Sequence, residues 1–312
     1  VTVADNPVND SVGAFPLGPS VTSRTSLLAM TDAMPATADP LVGTEFAFSG
    51  QDFDRIRTLL RQHTGISLSD AKRSMVYSRL ARRLRATGRP SFSAYLEGLR
   101  AGAPEWEHFV NALTTNLTYF YRENHHFQIL AAYLKRLAAE RPGQTLYLWC
   151  AAASTGEEAW TLAITAAEVF GTLAPPVRIL ATDLDTHVLA SARQAVYRRD
   201  QLAKVPDHQA RRYFVEEAEG QYGVRPELRA LVNFRQLNLL DPVWPVRGPL
   251  DAVFCRNVLI YFDRPTQLRV VERMARLMPP GALLFVGHSE SFSQGQQRFV
   301  LQGRTVYARQ PG

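Results

Sequence analysis

The sequence predicts an α/β protein: a doubly wound parallel sheet preceded by a small all-helical domain and interrupted by a small antiparallel β-subdomain. Three observations carry this. Apolar runs at 146–150, 177–182 and 250–255 have strand length, and a helical pattern follows each, which is the alternation of a parallel sheet covered on both faces. The runs end on small or polar residues, where such sheets bind ligands. Ahead of them, residues 49–99 show only helical spacing.

Residues 1–47 are rich in Ser, Thr, Ala, Pro and Gly without a sustained period, and are expected to form a disordered or loosely docked extension. Within it, Leu27-Leu28-Ala29-Met30 could dock on the body. Residues 48–103 form the predicted helical domain. Ser49 caps a helix over 51–62 with Phe53, Ile56, Leu59 and Leu60 on one stripe. A second helix over 70–87 turns Met75, Leu80 and Leu84 inward, and its other face carries Lys72, Arg73, Arg79, Arg82, Arg83 and Arg85. Pro90-Ser91-Phe92 opens a third helix. Residues 49–110 hold 11 Lys/Arg against 6 Asp/Glu, so most of the net charge of +6 sits here. A solvated basic face and an electrostatic dock for an acidic helical partner both fit. Residues 104–122 read as a linker helix into a catalytic domain over 123–312.

In that domain Leu146 to Cys150 reads as a buried parallel strand, followed by Ala151-Ala152-Ala153-Ser154-Thr155-Gly156-Glu157-Glu158 and a helix in which Leu162, Ile164, Ala166 and Val169 share a face. Small residues let backbone approach a ligand, and the helix start offers free N–H groups. The turn ends in two carboxylates, where a phosphate loop would leave room for an anion. Such a site suits hydroxyls or positive charge, and S-adenosylmethionine offers a sulfonium, an ammonium and a ribose. Dipole-favoured acids at an ordinary helix start explain the pair equally well. Asp183-Leu184-Asp185 ends the next strand, where an acid can accept from a ribose diol. The third run ends on Arg256-Asn257. A helix over 266–278 and a strand over 282–287 follow. Between 197 and 231 the alternation breaks: a short helix at 206–214 precedes two segments, 213–215 and 222–224, that could pair across an acidic turn.

Six motifs, in this order, resemble the CheR-type chemoreceptor glutamate methyltransferases: Thr114-Thr115-Asn116-Leu117-Thr118-Tyr119-Phe120-Tyr121-Arg122; Ala153-Ser154-Thr155-Gly156-Glu157-Glu158; Ala181-Thr182-Asp183-Leu184-Asp185; Gln236-Leu237-Asn238-Leu239; Phe254-Cys255-Arg256-Asn257-Val258-Leu259-Ile260-Tyr261-Phe262-Asp263; and Gly287-His288-Ser289-Glu290-Ser291. The resemblance spans roughly residues 48–309. Ala159-Trp160-Thr161 and Tyr121 depart from the family pattern at positions suited to packing. The resemblance implies a Rossmann-like methyltransferase domain and transfer from S-adenosylmethionine, leaving S-adenosylhomocysteine, to glutamate side chains. The substrate would be the cytoplasmic methylation helices of methyl-accepting chemoreceptors, met by the basic helix through Arg79, Arg82 and Arg83. By the same resemblance the cofactor contacts fall on Asn116, Thr118, Arg122, Glu158, Asp183, Asn238, Leu239, Arg256 and Asn257. Asn238 and Leu239 suit the adenine edge and face, and Glu158 could take the methionine ammonium or share the ribose with Asp183. Arg122 and Tyr261 are placed beside the transferable methyl as a clamp for the acceptor carboxylate. From the residues alone, an Arg after an aromatic run and a Tyr near a strand end are equally well explained as interface residues. The 197–231 insertion would be the family's antiparallel subdomain, and His288 is expected to close the pocket rather than react.

Composition bounds the alternatives. With 46% hydrophobic and 21% charged residues the chain reads as an ordinary globular protein. It contains no apolar run of about 18 residues, so no membrane insertion is expected, and no secretory pattern. Two cysteines, both ending predicted strands, suggest a reduced cytoplasmic protein and no metal set. No basic block with interleaved aromatics speaks for nucleic acid. The first turn lacks the Gly-x-Gly-x-x-Gly of a dinucleotide enzyme. A methyltransferase of the same fold acting on another protein or a small molecule is the alternative; a non-catalytic module would not need all these polar residues. A monomer is expected.

Overall fold

The computed structural model describes residues 45–291 and 296–311. In chain order the elements are α1 (Gly50–Thr64), α2 (Arg73–Thr87), α3 (Phe92–Gly98), α4 (Pro104–Leu113), α5 (His125–Glu140), β1 (Leu146–Cys150), α6 (Glu157–Phe170), β2 (Val177–Asp183) and α7 (Thr186–Gln194). They continue through β3 (Val196–Arg198), α8 (Asp207–Tyr213), β4 (Phe214–Ala218), β5 (Gln221–Val224), α9 (Pro226–Arg229), β6 (Val232–Gln236), β7 (Ala252–Cys255), α10 (Arg264–Arg276), β8 (Leu283–Val286), β9 (Phe299–Gly303) and β10 (Val306–Arg309). The Leu27–Met30 patch lies outside the described residues.

Seven strands form one sheet in the order β6-β2-β1-β7-β8-β10-β9. The first five are parallel, and β10 and β9 close the edge antiparallel. The chain leaves β1 towards β2 on one side and returns on the other as β7, so the sheet reverses direction between β1 and β7, where open α/β sheets bind ligands. Successive side chains of a strand point to opposite faces. Leu148, Cys150, Ile179, Ala181, Phe254 and Phe285 therefore meet α5 and α6, while Trp149, Leu180, Val253, Cys255, Leu284 and Val286 meet α10. Both faces are covered, as an all-parallel core demands.

The helical domain has its own core, centred on Phe48, Phe53, Ile56, Leu80, Leu84 and Phe92, and Leu184 of the catalytic domain packs against it. Ser49 caps α1 through a reciprocal capping box with Asp52. In α2 it is Val76, not Met75, that is fully buried. The second sheet, β3-β5-β4, is antiparallel and pairs Phe214 with Val224. It contains the predicted hairpin plus a third strand from 196–198.

Two expectations fail. The linker helix stops at Leu113 instead of running to 121. Thr114 and Asn116 turn their side chains to Asp185 (2.6 and 2.8 Å), and such side-chain bonds compete with helical ones. The helix after Gly156 is not one-sided: every residue from Glu157 to Ala167 is buried, because α5, α9 and the sheet enclose it.

Candidate active site

At the carboxyl ends of β1, β2, β6 and β7 lies a pocket that is open to solvent on one side. Asn116, Thr118, Arg122, Glu158, Asp183, Asn238, Leu239, Arg256, Asn257 and Tyr261 all line it. The structure thus brings together every predicted cofactor and clamp residue from five separate segments. Arg79, Arg82 and Arg83 lie elsewhere.

The first turn is built for close approach. Ser154 and Gly156 both adopt positive φ (48° and 100°). A Cβ on Gly156 would lie 2.8 Å from the Tyr197 hydroxyl and 2.9 Å from Trp160 Nε1, so only glycine fits. Ser154 N–H donates to Asp183 Oδ2 (2.8 Å) and Asp185 N–H to Asp183 Oδ1 (3.0 Å). Burial outweighs these two donors and pushes the Asp183 carboxyl up to about 6.

Glu158 meets a positive charge supplied by the protein itself. Its Oε2 accepts from Arg256 Nη1 at 2.6 Å, and its Oε1 accepts from the Cys150 thiol at 3.2 Å. The Arg256 side chain is fully buried and that of Glu158 is 11% exposed. Arg256 Nη2 also donates to the Arg122 carbonyl and lies 3.5 Å from Glu123 Oε1. A buried charge needs such pairing, so Arg256 ties the 120–123 turn to the start of α6.

Tyr261 belongs to a single 3₁₀ turn, Leu259–Tyr261. Glu290 shapes the loop before it: its carboxylate accepts from the N–H groups of Asn257 (2.8 Å), Gly287 (2.6 Å) and Ile260 (3.3 Å). It holds Asn257 in a left-handed conformation (φ 57°). Arg122 Nη1 donates to the Leu117 carbonyl (2.7 Å); among the described residues the other edge of its fork and the Tyr261 hydroxyl make no hydrogen bond. Both point of contact types suit a carboxylate, the fork offering paired donors and the phenol one.

Asn238 lines the pocket and is also tied into the protein. Its Nδ2 donates to the His63 carbonyl (2.7 Å), and its Oδ1 accepts from Leu240 N–H (2.9 Å). These bonds use one of the amide's two N–H donors and one of its two acceptor sites. Sequence reasoning also missed Thr64 and Ile66, which line the pocket from the helical domain. No periodicity marks them, because their role comes from a contact with distant chain. The role of Glu290 also escaped: its motif is visible in the sequence, but no local pattern marks its carboxylate as the acceptor for Asn257 and Gly287.

Of the three basic residues assigned to docking, two are engaged inside the domain. Arg79 Nη1 donates to the carbonyls of Ala112 (3.2 Å) and Thr114. Arg83 forms a two-point pair with Glu105 (3.0 and 2.7 Å). Arg82 is exposed and makes no hydrogen bond or ion pair among the described residues.

Comparison with known proteins places this geometry in context. Residues 116–308 match the family described as "CheR methyltransferase, SAM binding domain", and residues 51–114 match "CheR methyltransferase, all-alpha domain". The chain is 48% identical over 278 residues to the chemotaxis protein methyltransferase 2 of Pseudomonas aeruginosa, covering 88% of this chain and 98% of that protein. It is 46% identical over 287 residues to the chemotaxis protein methyltransferase of Escherichia coli, covering 89% and 99%.

Proposed function

The chain belongs to the CheR methyltransferase family, and on that premise we propose that its pocket serves methyl transfer from S-adenosylmethionine to glutamate carboxylates of chemoreceptors. The observation that carries this is the convergence of Asp183, Glu158–Arg256 and the Arg122/Tyr261 pair in one pocket at the sheet's switch point. The donor set fits the cofactor. Asp183 offers acceptor oxygens for a ribose, and Arg256, neutralised by Glu158, is not arranged to grip a phosphate.

When bound, S-adenosylmethionine supplies an electrophilic methyl on a sulfonium. The residues around it do the rest. A glutamate side chain has a reference pKa near 4.3 and is ionised at neutral pH, so no general base is required. Arg122 and Tyr261 hold the acceptor carboxylate in line, and the pocket walls exclude water from two charges that cancel. His288 is exposed, lies 3.4 Å from Glu123 and is not among the residues that line the pocket, so it has no part in the transfer. The acceptor glutamates lie on the receptor's cytoplasmic methylation helices, approached by the exposed basic face of α2. In the described residues no helix is long and apolar enough to cross a membrane.

Two pH dependences test the carboxylate reading together. S-adenosylhomocysteine affinity should be flat above pH ~7 and weaken below pH ~6, as Asp183 is protonated and becomes a poorer acceptor. The rate at saturating cofactor should stay nearly flat from pH ~6 to ~9. A rate rising steeply through neutrality and traced to one histidine would mean a general base and a different nucleophile.

The docking face is tested by Arg82→Glu combined with Lys72→Glu. These should slow receptor methylation and flatten its salt dependence while S-adenosylhomocysteine affinity holds. Arg79 and Arg83 are unsuitable because their loss disturbs α4 and the 112–114 segment. Unchanged salt dependence would reduce α2 to a solvated surface.

A further inference from the structure

The pocket is completed by a turn from the other domain. Helix α1 ends at Gly65, whose φ is 73° and whose N–H donates to the Arg61 carbonyl (2.9 Å). The chain then crosses the carboxyl edge of the sheet, where two hydrogen bonds and the fit of Gly65 seat it. The His63 carbonyl accepts from Asn238 Nδ2 (2.7 Å). Ser67 N–H donates to the Tyr261 carbonyl (3.0 Å). Thr64 and Ile66 line the pocket. Gly65 itself sits in a notch between Leu240 and Phe262: a Cβ there would lie 2.7 Å from Leu240 Cδ1 and 3.0 Å from the Phe262 ring.

Leu240 and Phe262 are the residues that follow the two pocket segments, Asn238-Leu239 and Tyr261. We propose that turn 63–67 is a positioning element of the active site: it fixes the adenine-side backbone at 238–240 and the height of Tyr261, and Gly65 is the residue that lets it seat. The inference rests on the methyltransferase reading above. Cofactor affinity then depends on how the helical domain sits, although that domain's basic helix faces the protein substrate. The outer ion pair Arg61–Asp263 (2.9 Å) is largely exposed and adds little; the glycine contact and the two hydrogen bonds set the geometry.

The chain contains a matched control. Gly88 ends α2 with the same left-handed conformation (φ 64°), but a Cβ there would meet nothing within 4 Å. Gly65→Ala and Gly88→Ala therefore share the strain of a non-glycine residue at positive φ, and only the first blocks the notch. Calorimetric S-adenosylhomocysteine binding should weaken by about tenfold or more in Gly65→Ala and stay near wild type in Gly88→Ala. The turnover number should fall with it, since displacement of a clamp by about 1 Å can cost on the order of 100-fold. Adding Leu240→Ala to Gly65→Ala reopens the notch and should restore most of the affinity, which a general loss of stability would not allow. Leu240→Phe, which narrows the notch from the opposite wall, should weaken binding without touching the glycine. If Gly65→Ala and Leu240→Phe both bind S-adenosylhomocysteine as Gly88→Ala does, the turn is only a domain contact. If the wild-type protein itself fails to bind S-adenosylhomocysteine, the cofactor assignment falls, and this inference with it.

Discussion

Replacing Glu158 by alanine should cost about 3 kcal/mol of stability and remove measurable cofactor binding. The side chain forms a 2.6 Å pair with Arg256 in a place where neither is more than 11% exposed. Removing one partner of a buried pair leaves an uncompensated charge, typically a loss of about 3–5 kcal/mol. The lower end is expected, because Glu123 Oε1 and the Arg122 carbonyl remain near the guanidinium. Replacing both, as Glu158→Leu with Arg256→Met, should recover much of the stability but none of the binding, since apolar residues can substitute for a buried pair in packing alone. Urea denaturation alongside calorimetry separates the two readouts. A single mutant within about 1 kcal/mol of wild type would show that Arg256 finds compensation elsewhere and that the pair does not organise the pocket.

The second large effect falls on rate. Tyr261→Phe removes the donor we propose for the reacting carboxylate and should lower the turnover number by about 10- to 100-fold, the worth of a hydrogen bond to a charged group. S-adenosylhomocysteine affinity should hold, because the Tyr261 hydroxyl makes no hydrogen bond among the described residues. Arg122→Lys should lose at least as much rate, since a point charge cannot reproduce two parallel donors. Its cofactor affinity should fall too, because the Arg122 side chain also ties down the Leu117 carbonyl in the pocket wall. Equal rates for Tyr261→Phe and wild type at saturating substrates would remove Tyr261 from the clamp.

Much of this architecture is legible in the sequence. Strand runs ending in Cys150, Thr182 and Cys255 mark the central sheet within a residue or two, because buried parallel strands are nearly continuous apolar runs. Of the pocket residues, Asp183 and Arg256-Asn257 are legible at strand ends, where topology collects them, whereas Asn116, Thr118 and Arg122 follow only from the family resemblance. What escaped is what depends on distant partners. Thr114 and Asn116 leave the helix because Asp185, about 70 positions later in the chain, offers their side chains an acceptor. Arg79 and Arg83 look like surface charge by helical spacing, yet the carbonyls of Ala112 and Thr114 engage the first and Glu105 the second. Glu158 is expected to meet the methionine ammonium or the ribose, and the protein itself gives it Arg256 as a partner. Asn238 is an amide aimed at His63, which no local pattern foretells.

The account stands on a carboxylate as methyl acceptor, and the bond formed is the direct test. The protein should be incubated with S-adenosylmethionine carrying a labelled methyl group and with membranes rich in a chemoreceptor, and the labelled receptor then treated with mild base. A methyl ester of a glutamate side chain hydrolyses and releases the label as volatile methanol, which is the predicted result. Label that stays on the receptor through base treatment would mean transfer to nitrogen or sulfur and would contradict the assignment.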